Sequence, residues 1–174
     1  MVGRLRNVAK DGGDGVMTAS ELLFTRSQSG AELLEGLIGS ATDSILAALY
    51  RLSNSRLASA LNEAHRRGVS IRLCLNYNDH YEENRAAQMT LISYGIPFRL
   101  LGGRGGAGSK MHHKFAVFDR RVAATGSYNW TRESEDLNYE NLVVLREPAM
   151  AAAFAREFEA LWSEGKEAEP GSVG

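Results

Sequence analysis

The sequence holds one cysteine, three prolines and no surplus of either charge: 20 Lys and Arg stand against 21 Asp and Glu in 174 residues. The single cysteine, Cys74, excludes an internal disulfide and a thiolate zinc cluster. Its apolar setting in IRLCLNY predicts a buried structural thiol. With no overall basic character, any electrostatic footprint for a polyanion has to be local. Aromatics make up 8% of the chain and never interleave with basic residues as a stacking platform for single strands would require, which leaves Tyr77, Tyr81 and Tyr128 as loop substitutes. Long apolar runs are missing too. SILAALY and the alanine-rich stretch after Pro148 fall well short of the ~20 residues that cross a bilayer. The opening MVGRLRNVAKDGGDGVMTAS lacks the apolar block of a secretory signal. The expectation is a cytoplasmic protein without stable membrane association.

What is present is enough apolar residue, 44%, to build one sizeable core. The Gly- and Asp-rich residues 1–19 and the charged residues 165–174 read as flexible ends around a folded domain over 20–164. Within it, ELLFTRS, DSILAALYRL and VSIRLCLNY read as strands, each followed by a helical pattern: AELLEGLIGSA, NSRLASALNEAHRRG and EENRAAQMTLISYG. In the second helix Asn54 or Ser55 caps an apolar stripe of Leu57, Ala60, Leu61 and Ala64 that Gly68 ends, and His65 in its last turn reads as a packing or solvated residue. This βαβαβα alternation predicts an α/β fold with a mixed, largely parallel sheet flanked by helices on both faces. After Gly95 come short strands, IPFRLLG, HHKFAVFD, VAATGSY and NYENLVVLRE, and a last helix from Pro148 to about Trp162.

The chemistry-bearing stretch is MHHKFAVFDRRVAATGSYNWT, residues 111–131. Alternation along a strand points His112 and Lys114 to one face, and His113, Phe115 and Val117 to the other. The two histidines therefore do not act together. A polar pair at the end of an otherwise apolar central strand lies at a sheet edge, where ligands bind. Ser127 and Asn129 share a face on the next segment, and Glu140 follows in NYENLVV. Asp119 falls beside the Arg120-Arg121 turn and reads as a turn anchor. Asp79 and His80 show no recognisable metal-ligand spacing.

His112, Lys114, Asp119, Gly126, Ser127 and Asn129 form the pattern H-x-K-x4-D-x6-G-S-x-N, which resembles the HKD motif of the phospholipase D superfamily. SILAALYRL, ALNEAHRRGVSIRL, NYEN and the terminal F-x-x-x-W helix are similar to that family's short, single-motif nuclease branch. The resemblance implies a phospholipase D/nuclease-like fold and phosphodiester cleavage without a metal or other cofactor. The residue types suit that chemistry. A neutral imidazole is a competent nucleophile near pH 7, so His112 would attack phosphorus to give a phosphohistidine. Lys114 supplies a cation, and Ser127 and Asn129 neutral donors, for the non-bridging oxygens. Glu140, matching the family's acidic partner, would accept a hydrogen bond from the far ring nitrogen of His112. Asp119 and Gly126 are the motif's structural members.

A phosphohistidine route needs a second acid–base group, and the chain carries the motif once. The family implies a homodimer in which two copies of His112 face each other across a two-fold axis. Single-motif members are mostly nucleases, so DNA or RNA is the expected substrate, with Arg104 and Lys110 in the GGRGGAGSK loop and Arg51 after the second strand as candidate phosphate contacts. Two other classes remain: a phospholipid phosphodiesterase, and a nuclease or binding module of a larger multidomain protein.

Overall fold

The structure, a computed structural model, describes residues 20–77, 82–105 and 108–167. The expectations for residues 1–19 and for Asp79, His80 and Tyr81 lie outside the described residues. In chain order the elements are β1 (Glu21–Phe24), α1 (Gly30–Ser40), β2 (Ser44–Leu49), α2 (Ser55–Arg66), β3 (Ser70–Asn76), α3 (Glu82–Tyr94), β4 (Phe98–Leu101), β5 (Lys114–Phe118), β6 (Val122–Gly126), α4 (Arg132–Asp136), β7 (Asn141–Leu145), α5 (Pro148–Glu164) and β8 (Lys166–Glu167). The strands make one sheet in the order β1-β7-β6-β5-β2-β3-β4-β8.

The α/β class and the helices on both faces are as the sequence predicts, but the sheet is less parallel than the alternation implied. β1 to β4 all run the same way, yet only β2-β3-β4 pair in parallel. The antiparallel strands β5, β6 and β7 insert between β2 and β1, so β1 pairs with β7 at the far edge. Periodicity reports that a segment is a strand; it carries no information about which neighbour the strand takes.

Each helix forms for local reasons and docks for tertiary ones. Ser29 caps α1 by accepting from the Glu32 N–H, and Ala31, Leu34 and Ile38 face the sheet. Asn54 caps α2 through the N–H groups of Arg56 and Leu57, and Leu57, Ala58, Leu61 and Ala64 are its buried stripe. Except for Ala58, these residues pack with Leu91 of α3 on Ile45, Ala47, Leu49, Ile71 and Leu73. On the opposite face α5 starts at Pro148 and lays Ala151, Ala155 and Phe158 against Leu46, Ala48, Cys74, Phe115 and Val117. β2 is buried along its whole length because both faces are covered. Burial pushes the Cys74 thiol up to about 12, so it stays protonated and inert.

Several boundaries differ from expectation. α5 runs two residues beyond Trp162. Lys166 and Glu167, expected in a flexible tail, pair with Leu100 and Arg99 of β4, and the Arg99 guanidinium binds Glu167. α4 was not foreseen; Thr131 caps it by accepting from the Ser134 N–H. Tyr128 is no loop aromatic, being 0% exposed, with its hydroxyl donating to Glu135 at 2.7 Å.

Registers fix which strand ends meet. Leu49 opposes Lys114, Phe115 opposes Thr125, and Gly126 opposes Leu142. The end of β2, the start of β5, the end of β6 and the start of β7 therefore share one sheet edge, and the polar residues that follow or precede them gather there.

Candidate active site

His112 stands two residues before β5, and the strand's alternation extends back to it. The Lys114 ammonium lies 3.3 Å from its Nδ1 and 3.4 Å from its Nε2, and donates to its backbone carbonyl at 3.0 Å. His113 points the other way, edge-on to Phe115 with ring centroids 5.3 Å apart, and its Nε2 is 3.4 Å from Glu157 of α5. The expected division of the two histidines holds. Backbone hydrogen bonds fix the segment from both sides: Tyr50 N–H donates to the His113 carbonyl at 2.7 Å, and the buried Asn76 accepts the Met111 N–H through Oδ1 at 2.9 Å.

Electrostatics favour a neutral imidazole. Partial burial, and then the charges of Lys114, Lys110 and His113, hold the His112 pKa below its ordinary value of 6.5. Burial also lowers Lys114, while the Glu140 carboxylate works against that. An ammonium beside a neutral imidazole is the arrangement a histidine nucleophile and its phosphate-binding cation require.

The next strands supply a second polar group. Gly126 lets β6 run tightly against β7, since a Cβ there would collide with the Asn141 carbonyl. That approach brings the Ser127 hydroxyl onto Glu140, and the same oxygen accepts the Asn141 N–H at 3.1 Å. Glu140 also accepts from the Ser134 hydroxyl at 3.0 Å and the Asn138 amide at 3.3 Å. Its expected bond to His112 is therefore not made within one chain: the carboxylate is taken up by Ser127, Ser134 and Asn138, and acts on the site through its charge on Lys114. Likewise the Ser127 proton is directed at Glu140 instead of at an incoming oxygen. Asn129 is half-buried, and its Oδ1 has no hydrogen-bond partner.

Asp119 sits at the other end of β5. Its carboxylate accepts the N–H groups of Thr42, Asp43 and Ser44 at 3.0, 2.8 and 2.9 Å and the Thr42 hydroxyl at 3.3 Å. Burial would raise its pKa, but those donors outweigh burial and leave it lowered. Through these bonds Asp119 ties the β5–β6 hairpin to the start of β2.

A cleft of about 1340 Å³ opens beside His112, lined by Tyr77, Arg104 and Lys110 on one side and by His113, Glu157 and Glu164 elsewhere along it. Arg104 and Lys110 are exposed there, as their candidacy required. The two ends of the glycine loop are joined. Gly102 bridges to Lys110, and a Cβ on Gly103 would meet the Lys110 backbone nitrogen at 2.5 Å. Arg51 does not line this cleft; its guanidinium lies 3.5 Å from Glu133 of α4.

Sequence reasoning missed Tyr50. Its ring centroid is 4.3 Å from that of His112, 5.0 Å from Lys114 Nζ and 5.6 Å from Lys110 Nζ. The signal was a tyrosine ending an otherwise aliphatic central strand, where a polar tip marks the sheet edge.

Comparison with known proteins agrees with this geometry. Residues 34–162 match the family model described as cardiolipin synthase, PLD-like domain. A mitochondrial cardiolipin hydrolase of Xenopus laevis is 35% identical over 134 residues, covering 77% of this chain and 61% of the relative. One of Chlamydomonas reinhardtii is 32% identical over 125 residues, covering 72% and 54%. The chain thus spans between about half and three fifths of these relatives' length. Among solved structures, Nuc from Salmonella typhimurium, a phospholipase D family member, superposes with a TM-score of 0.80 at 25% identity, covering 87% of this chain and 98% of that one. With the family model matching most of the chain, the protein belongs to the phospholipase D superfamily, as a PLD-like domain.

Proposed function

We propose that the protein hydrolyses phosphodiester bonds of nucleic acid without a metal, through a covalent phosphohistidine on His112, as a homodimer. The observation that carries this reading is the His112–Lys114 contact at the mouth of a cleft that Arg104, Lys110 and the 56%-exposed Tyr77 line. An open groove with Arg104 and Lys110 beside His112, its carboxylates Glu157, Glu164 and Glu167 elsewhere, and an aromatic face at Tyr77 suits a polyanionic strand with unstacked bases.

In the first step neutral His112 forms a bond to phosphorus as the bond to the leaving oxygen breaks, and a second, protonated copy of His112 gives that oxygen its proton. In the second step that copy, now neutral, takes a proton from water; the hydroxide adds to phosphorus and His112 leaves unmodified. Lys114 neutralises the non-bridging oxygens throughout, and the Asn129 side-chain N–H group is the neutral donor that would join it. Glu140 tempers Lys114 and is held by Ser127.

A second reading rests on a different observation: the relatives at 32% and 35% identity are named cardiolipin hydrolases, and a cardiolipin headgroup presents the same phosphodiester. No helix among the described residues is long and apolar enough to cross a membrane. Incubation of the purified protein in excess EDTA with single-stranded DNA, duplex DNA, RNA and cardiolipin vesicles separates the readings. Cleavage of a nucleic acid in EDTA is expected. Turnover of cardiolipin alone would replace the first reading with the second, and a strict need for Mg²⁺ would remove the metal-free route. Mixing wild-type with His112→Ala subunits under exchange should lower activity as the square of the wild-type fraction; a linear fall would remove the shared site.

A further inference from the structure

Three groups that are cationic or become so converge on one aromatic ring at the sheet edge. Tyr50 is 9% exposed at the bend that ends β2, held there by its N–H bond to the His113 carbonyl. The His112 ring lies tilted at 53° with its centroid 4.3 Å away, Lys114 Nζ is 5.0 Å from the Tyr50 centroid, and Lys110 Nζ is 5.6 Å from it. Lys114 is held beside His112 by its bond to the His112 carbonyl at 3.0 Å, but nothing in the 112–114 segment brings the Lys110 ammonium to the same ring. The electron-rich face of an aromatic ring attracts cations within about 6 Å, most strongly when partly desolvated.

From this geometry we propose that Tyr50 is a positioning residue for the reaction at His112, its ring braced against the imidazole and gathering Lys114 and Lys110 to meet one phosphate. The work is divided. The tilted ring contact restricts rotation of the His112 ring about its side-chain bonds and keeps a nitrogen aimed out of the sheet edge. Attraction to the ring brings Lys110, which belongs to the glycine loop, to the same place as Lys114, which belongs to β5. It also competes with Glu140 for the Lys114 ammonium, so that Lys114 is not drawn away toward β7. Tyr50 touches neither a leaving group nor phosphorus in this scheme; it acts through the three groups that do. The inference rests on the phosphodiesterase reading of His112, and is indifferent to whether the diester comes from nucleic acid or lipid.

The test separates the ring's electrons from its bulk. Tyr50→Phe keeps the face and loses the hydroxyl; phenylalanines bearing one, two and three fluorines at position 50 keep the shape while draining the face. Two quantities are read on the dimeric full chain: kcat with bis(p-nitrophenyl) phosphate, and the affinity for inorganic phosphate by calorimetry. Tyr50→Phe should stay within about twofold of wild type in both, and kcat and phosphate affinity should fall steadily with fluorine number, by roughly tenfold at three fluorines. KM for the small neutral-armed diester should move less than kcat. A flat response across the fluorine series in both quantities, or a loss in Tyr50→Phe as large as in the trifluoro variant, would overturn the proposal, because packing or the hydroxyl would then be the cause. Should the wild-type protein bind phosphate but fail to turn over the diester, the phosphodiesterase mechanism fails, whereas a graded loss of phosphate affinity would still support Tyr50 as the organiser of the site.

Discussion

At its C-terminal end β5 runs into Asp119, a carboxylate that accepts three backbone N–H groups and a hydroxyl. At its N-terminal end it begins with Lys114, whose ammonium stands beside an exposed imidazole it helps to keep neutral. The two ends lie five residues apart and belong to one sequence motif, yet one is saturated by the protein and the other is not. Asp119 and Arg120 both adopt left-handed backbone, with φ of 51° and 53°, and the Arg121 N–H closes the turn on the Phe118 carbonyl at 3.0 Å. Two such residues without glycine are uncommon and need support from outside the turn. The bonds from residues 42–44 and the 2.6 Å contact of Arg120 with Glu159 provide it. At the other end the polar groups satisfy one another only in part. A saturated polar group stabilises the fold, whereas an unsaturated one at a sheet edge is free to bind.

The largest expected effect tests that division directly. His112→Ala should abolish turnover, by at least roughly 10⁴-fold, because it removes the nucleophile, and should leave the melting temperature near wild type. Asp119→Ala should do the reverse, costing about 1–3 kcal/mol through the loss of charge-assisted hydrogen bonds to residues 42–44, with kcat in the folded fraction retained to within a few-fold. Thermal melts and single-turnover assays on both variants read it. A thermally stable Asp119→Ala protein that is catalytically dead would break the comparison.

A smaller effect follows from titration, and the two ends should appear in different measurements. Because His112 is held below 6.5, its nucleophilic neutral form persists to below that pH, and the acid limb of kcat/KM should turn down only there. Lys110→Met removes one of the lowering charges and should move that limb upward. The Asp119 carboxyl is also lowered, so its stabilisation is present above the unfolded carboxylate value and is lost as pH falls through the folded one. Asp119→Asn should flatten the acid end of the stability profile and leave the rate profile in place. Movement of the rate profile in Asp119→Asn would show that the two ends are coupled.

The smallest effect concerns the neighbour. His113→Ala loses a partly exposed pair with Glu157, the histidine side chain being 46% exposed, and should cost under ~1 kcal/mol and leave most of the activity. A loss equal to that of His112→Ala would mean that both histidines serve the reaction.

The sequence alone determined everything that depends on short-range periodicity. Alternation at period two separated His112 and Lys114 from His113, the cap at Asn54 set the start of a helix, and the spacing from His112 to Gly126, Ser127 and Asn129 marked a candidate site. The tertiary structure decided which polar groups saturate one another. Glu140 is taken up by Ser127, Ser134 and Asn138 instead of reaching His112, Arg51 is paired with Glu133, and Tyr50, 62 residues before His112 in the chain, becomes its closest aromatic neighbour. The insertion of β5, β6 and β7 between β1 and β2 belongs to the same class. Side-chain direction along a strand is fixed by the backbone of that strand, whereas strand neighbours are chosen by burial of both sheet faces across the whole chain, and partner choice at the sheet edge follows from that ordering.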